Sequence, residues 1–216
     1  MFSELRHAHH HHWVIGITLF ILLLLVIAKW NKVNYIQHFG ASLFSNLYFT
    51  AKFSEKRRID LPEVTLFIAS LLALALFLYV VFIQGVFDVF AYLRLSLLVL
   101  VILLGKYFIE KIIGDVFELH QLLNKYLFFK QGVLSWLSLF VLFPVALLIY
   151  FQHLYSSSLL LGVVVFCALI YTIKLTSFFG IYQKPILAYW FYFILYLCAF
   201  EIAPYLILFK VIKSID

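Results

Sequence analysis

Glu201 is the only charged residue in the long apolar run of residues 186–209, which makes it the first candidate for chemistry in this sequence. An ionised carboxylate in hydrocarbon is costly, so it must be protonated, paired or in contact with water. Arg94 is its predicted partner, because helical rise places both residues at a similar depth near the same end of their apolar runs. The first hypothesis is therefore an ion pair between Glu201 and Arg94 that holds two helices together.

The alternative is that Glu201 titrates as a proton or cation site. Pro204 follows three residues later and leaves a backbone carbonyl near Glu201 without its helical donor, which can also kink the helix. Pro144, in another apolar run, is interpreted as a tolerated kink of the same kind. A single carboxylate has no relay of other ionisable groups, so the sequence favours the structural pair over a small proton- or cation-coupled transporter or channel.

A histidine-rich run, HAHHHH, lies directly before Trp13. Neutral imidazoles bind zinc, copper or nickel, so His9, His10, His11 and His12 are weak candidates for metal ligands. A metal site also needs fixed geometry and supporting partners, which a terminal run does not provide. We interpret the run as having no catalytic role, with metal scavenging and an added purification tag as alternatives. No metal or cofactor is expected.

The remaining ionisable residues form no pattern typical of an enzyme. Glu110 lies four residues after Lys106, a spacing that predicts a local ion pair on one helix. Asp115, Glu118 and His120 are close in sequence but fan around a helix without converging. The sequence contains no HExxH, G-x-S-x-G or phosphate-loop motif and no paired carboxylates within an apolar run. We therefore expect a protein without enzymatic activity.

The elements that must position these residues are membrane-spanning helices. Hydrophobic residues make up 66% of the 216 residues and charged residues only 12%, far from the composition of soluble domains. We predict an all-α, polytopic transmembrane bundle that forms a single integral membrane domain over residues 1–216. Its six predicted spans lie near residues 13–30, 64–84, 91–113, 133–152, 159–174 and 186–209.

Two of these spans raise a question. The third has an uncharged core of only residues 95–105, so a five-span or re-entrant arrangement stays open. The first is expected to be a retained span, because no small-residue cleavage site follows it.

Basic residues predict the orientation. With the N-terminus outside, twelve of the 16 Lys and Arg residues fall on the inner side and four on the outer side. The inner residues are Lys29, Lys32, Lys52, Lys56, Arg57, Arg58, Lys106, Lys111, Lys125, Lys130, Lys174 and Lys184; the outer ones are Arg6, Arg94, Lys210 and Lys213. The positive-inside rule then places both termini outside. It also explains the net charge of +6 without a nucleic-acid partner.

Two inner connections look amphipathic. Residues 31–63 carry apolar side chains at helical spacing, followed by a basic cluster of Lys56, Arg57 and Arg58. We expect this segment to lie in the cytoplasmic headgroup layer, where basic residues gain from anionic lipid. Residues 106–130 carry a second apolar stripe, which predicts that the third helix continues onto the membrane surface.

The end of the chain, LYLCAFEIAPYLILFK from residue 195, resembles a family of bacterial multi-pass inner-membrane proteins classified as a domain of unknown function. Chains of that family end in a pattern like LYLC-x-LEI-x-P, an apolar run and Lys. The matching residues are Leu195, Tyr196, Leu197, Cys198, Glu201, Ile202, Pro204 and Lys210, whereas Phe200 stands where the family has Leu. Weaker similarities at Trp13 and at Lys106-Tyr107 extend the resemblance over nearly the whole chain. It implies a polytopic fold in the bacterial cytoplasmic (inner) membrane and no particular activity.

These observations together predict a structural or accessory subunit of a cell-envelope protein complex, with protein export as one setting. The expected partners are the lipid bilayer and other membrane or envelope proteins.

Overall fold

The computed structural model describes residues 12–31, 39–40, 61–82, 88–116, 120–152 and 156–181. Throughout these ranges the ordered elements are helices, and the described residues contain no strand. The prediction of an all-α bundle is confirmed.

Six α-helices and one π-helical turn make up the described structure. In chain order they are α1 (His12–Asn31), α2 (Leu61–Phe82), α3 (Val89–Val116), α4 (His120–Leu137), the π-helical turn (Ser138–Leu142), α5 (Phe143–Gln152) and α6 (Ser157–Ile181). The π-helical turn joins α4 and α5 without a break, so these three form one long rod.

Five helical segments are long and apolar enough to cross a membrane, namely Trp13–Trp30, Leu61–Phe82, Val89–Ile112, Asn124–Gln152 and Ser158–Ser177. They coincide with the first five predicted spans. The third, which the sequence left in question, has 24 residues, or about 36 Å at helical rise. The predicted sixth span, with Glu201 and Pro204, lies outside the described residues.

α2 is the centre of the bundle, and it contacts α1, α3, α4, the π-helical turn and α5. Its buried face combines small side chains, including Ala69, Ala73 and Ala75, each with no exposed surface, with larger ones such as Leu76 and Tyr79. Small residues let neighbouring helix backbones approach closely, which is how spans gain packing energy when the surrounding lipid is equally apolar. We call the apolar cluster around α2 the α2 core.

A second, smaller cluster lies on α4 and consists of Tyr126, Leu127, Phe129, Val133 and Leu137. Residues of α6, among them Ile170, Tyr171 and Leu175, pack against it. We call this the α4 cluster. α6 also reaches the α2 core, against which its Leu160 and Val163 pack.

The turn before α3 is held by Asp88, which caps that helix. Its Oδ1 accepts a hydrogen bond from the Phe90 N–H at 3.0 Å, which satisfies a donor at the helix start. The Asp88 N–H donates to the hydroxyl oxygen of Tyr79 at 2.8 Å. The Tyr92 hydroxyl in turn donates to the Leu72 carbonyl at 3.1 Å. These bonds tie the first turns of α3 to α2.

Phe39 and Gly40, the two described residues between α1 and α2, correct one expectation. The sequence placed them in a segment on the membrane surface, yet Phe39 is buried in the α2 core. The Gly40 carbonyl accepts a hydrogen bond from Trp136 Nε1 at 3.1 Å, and the Phe39 ring lies 6.3 Å from that of Phe140. The surface prediction was wrong for these residues because the bundle offers an aromatic site that periodicity alone cannot reveal.

The second amphipathic segment also differs from expectation. The sequence predicted one apolar stripe over residues 106–130, whereas the structure divides this segment between α3, which ends at Val116, and α4, which begins at His120. Ile109 and Ile112 are exposed, while Tyr126 and Leu127 are buried. Within each helix the apolar residues keep the expected helical spacing. Because α3 and α4 are separate helices, however, their apolar residues meet different surroundings.

Pro144 is the second residue of α5 and lies two positions after Leu142, the last residue of the π-helical turn. Proline cannot donate a backbone hydrogen bond, and its ring would clash with the carbonyl four residues earlier. Here the Phe143 N–H donates to the Ser138 carbonyl, five residues back, so the helix widens just before Pro144.

Candidate functional site

The most polar contact inside the described bundle joins Glu110 of α3 to Lys130 of α4. The Lys130 Nζ lies 2.7 Å from Glu110 Oε1, and only 3% of the Glu110 side chain is exposed. The Lys130 Nζ also lies 5.5 Å from the centre of the Tyr126 ring. A carboxylate this deeply buried requires a charged partner, because the cost of removing it from water is otherwise not recovered. The pair therefore fixes α3 against α4.

The ion pair lies in a crevice of about 300 Å³ between three helices. α4 contributes residues along its length, while α3 and α6 form the two walls. At one end the crevice is polar, with Lys106, Glu110, Lys130 and Gln131. Towards the other end most of the lining is apolar, with Leu134, Leu137, Leu142 and Cys167 beside Ser138. The described residues that line the crevice include two lysines and one glutamate, whose formal charges sum to +1.

A short line of neutral polar groups leads from the crevice towards α2. Gln131 Nε2 donates to Ser135 Oγ at 3.4 Å, and the Ser70 hydroxyl of α2 donates to the same oxygen at 3.0 Å. Ser70 and Ser135 are both buried. These bonds connect the crevice to the α2 core and stabilise the contact of α2 with α4.

The chemistry that this arrangement supports is anion recognition. Lysine ammonium groups and the Gln131 amide can donate hydrogen bonds to phosphate or carboxylate oxygens. No group of three or more His, Cys, Asp or Glu residues in the described part of the chain is arranged to hold a metal ion.

The structure describes only some of the residues that the sequence singled out. Arg94 lies in the second turn of α3 with an exposed side chain. Glu201, Pro204, the basic cluster and His9, His10 and His11 lie outside the described residues, and His12 is the first residue of α1. The proposed contact between Glu201 and Arg94 therefore stays a prediction.

Sequence reasoning missed the role of Lys130. The sequence predicted an ion pair between Glu110 and Lys106, four residues earlier on the same helix, and both residues line the crevice. The ion pair with Lys130 joins residues twenty positions apart. One feature of the sequence could have indicated this pair. Glu110 and Lys130 both lie near the same predicted membrane face, one before and one after the connection between two predicted spans.

Comparison with known proteins gives one match. The family model described as Domain of unknown function (DUF4271) matches residues 14–212. No curated protein and no solved structure matches the chain. The match agrees with the resemblance to an uncharacterised family, whereas the bacterial origin and the motif at residues 195–204 stay predictions.

Proposed function

We propose that this chain, which belongs to the DUF4271 family, is a non-enzymatic accessory subunit of a cell-envelope protein complex in the bacterial inner membrane. Its apolar helical bundle is that of a membrane protein. In this proposal the bundle serves as a membrane-embedded support for partner proteins, with both termini on the outer side.

The observation that carries the proposal is the exposure of α6. In the described part of the chain, 11 of the 22 residues of α2 are buried, whereas no residue of the α6 span is. Two small residues of α6, Thr172 and Thr176, lie four positions apart and are both exposed. We call them the small-residue stripe. Such spacing allows another helix to approach closely within a membrane.

The polar groups inside the described bundle support a structural role as well. Glu110 bonds Lys130 on another helix, Ser70 bonds Ser135, and the Trp136 indole bonds the Gly40 carbonyl. Each of these contacts joins separate parts of the chain. They stabilise the architecture, as expected of a protein whose task is to hold a shape.

Purification in a mild detergent tests the proposal. We expect a membrane partner to co-purify in a fixed ratio with the full chain, and mass photometry and quantitative mass spectrometry would measure that ratio. A clean monomer at every detergent concentration would count heavily against an accessory role.

A variant pair locates the contact. Thr172→Leu enlarges the small-residue stripe and should release the partner, whereas Ile173→Phe, about 100° around the helix, should retain it. Thermal melting of each isolated chain is the control. If Thr172→Leu lowers the melting temperature of the isolated chain, the stripe packs against the chain's own residues and the supporting observation is lost.

A further inference from the structure

We infer that the crevice between α3, α4 and α6 binds one anionic phospholipid, with its phosphate at the lysine end and an acyl chain along the leucines. The inference requires only that the bundle is embedded in a membrane. It does not depend on a role in a protein complex.

The first support is the gradient of polarity along the crevice. Lys106, Lys130 and Gln131 supply hydrogen-bond donors at one end, and Leu134, Leu137 and Leu142 line the other. A soluble anion would contact only the polar end of the crevice. A phospholipid matches both, because its charged headgroup and its acyl chain are joined in the same order.

The second support is charge. The formal charges of the described lining residues Lys106, Lys130 and Glu110 sum to +1, which complements a headgroup with one net negative charge. Lys130 is already bonded to Glu110, but an ammonium group carries three N–H donors and can bond a carboxylate and a phosphate together. The ion pair thus holds the ammonium in place at the lysine end.

The third support is depth. Lys106 and Lys130 each lie ten residues from the connection between the two helices, because α3 ends at Val116 and α4 begins at His120. Both lysines therefore lie towards the same end of the bundle, where a lysine side chain can extend its ammonium group towards the headgroups. The positive-inside rule assigns this face to the cytoplasm, where anionic lipids attract basic residues.

Native mass spectrometry of the full chain in detergent tests the inference. We expect one phosphatidylglycerol to be retained in preference to phosphatidylcholine, and Lys106→Gln to weaken phosphatidylglycerol binding about fivefold. Lys106→Arg should preserve binding. Lys111→Gln, which removes an exposed charge of the same helix outside the crevice, is the matched control and should also preserve it. Equal retention of the two lipids, or full retention in Lys106→Gln, would overturn the inference.

Cys167 provides a second measurement, because it lines the apolar end of the crevice. In a Cys198→Ser background, phosphatidylglycerol should slow maleimide labelling of Cys167, and Lys106→Gln should remove that protection. Inorganic phosphate alone should give no protection. If phosphate protects as well as the lipid does, the site recognises a free anion and the lipid assignment is wrong.

Discussion

The α2 core and the crevice bounded by α3, α4 and α6 are both built from apolar spans, yet they are organised differently. The spans of α2 and α6 have similar mean hydropathy, 2.7 and 2.3, but 11 of the 22 residues of α2 are buried and none of the α6 span is. α2 places fully buried alanines against its neighbours, and its buried polar contact with α4 joins two hydroxyl groups. The crevice contains an ion pair and open space. The comparison indicates that the α2 core gives the bundle its shape and that the crevice brings charged groups of α3 and α4 together.

Glu110→Ala should have the largest effect and tests the crevice side. It leaves the Lys130 ammonium without its carboxylate, which should lower the free energy of unfolding by about 3 kcal/mol. Thermal melting in detergent would measure the change. Lys130→Ala is the matched variant, and the double variant should lose less than the sum of the two. Simple additivity would mean that the pair contributes no coupling.

Ala73→Leu tests the α2 core. Ala73 has no exposed surface, so the added side chain should overpack the core and cost about 2 kcal/mol. Val165→Leu enlarges an exposed side chain of α6 outside the crevice and should stay within about 0.5 kcal/mol. A loss at Val165 as large as that at Ala73 would show that another helix packs on this face of α6, and the contrast between the two regions would disappear.

Arg94→Ala tests the ion pair predicted from the sequence. If Arg94 bonds Glu201, this change and Glu201→Ala should each cost about 1 kcal/mol, and the double variant should be less than additive. Reconstituted vesicles provide the second arm. A proton or cation flux that Glu201→Gln abolishes, with stability unchanged, would favour the transporter alternative instead.

Ser70→Ala should have the smallest effect. It removes the hydrogen bond to Ser135 between α2 and α4, and bonds of this kind between membrane helices contribute about 0.6 kcal/mol. Ser96→Ala is the control, because the Ser96 hydroxyl bonds the Leu93 carbonyl of its own helix. Equal melting temperatures for both variants would mean that the Ser70 bond does not stabilise the contact between α2 and α4.

The spans were predictable and the site was not, as two stretches of the chain illustrate. The fourth span was expected from residue 133, yet the helix that contains it already includes Lys130, whose ammonium group pairs with Glu110 of α3. Phe39 looked like part of a surface helix and instead packs near Phe140. In both cases the surroundings of the side chain depend on residues that are far away in the sequence. The periodicity of neighbouring residues cannot predict such contacts.

The sequence by itself determined that this is a polytopic helical membrane protein, since spans depend on runs of apolar residues that can be counted. It also determined where five of those spans lie. Only the tertiary structure decided that α2 is central and α6 peripheral, because hydropathy is nearly equal for helices that face protein and helices that face lipid. Only the tertiary structure showed that Glu110 contacts Lys130 and that a crevice lies beside them, since both features depend on how α3, α4 and α6 pack together.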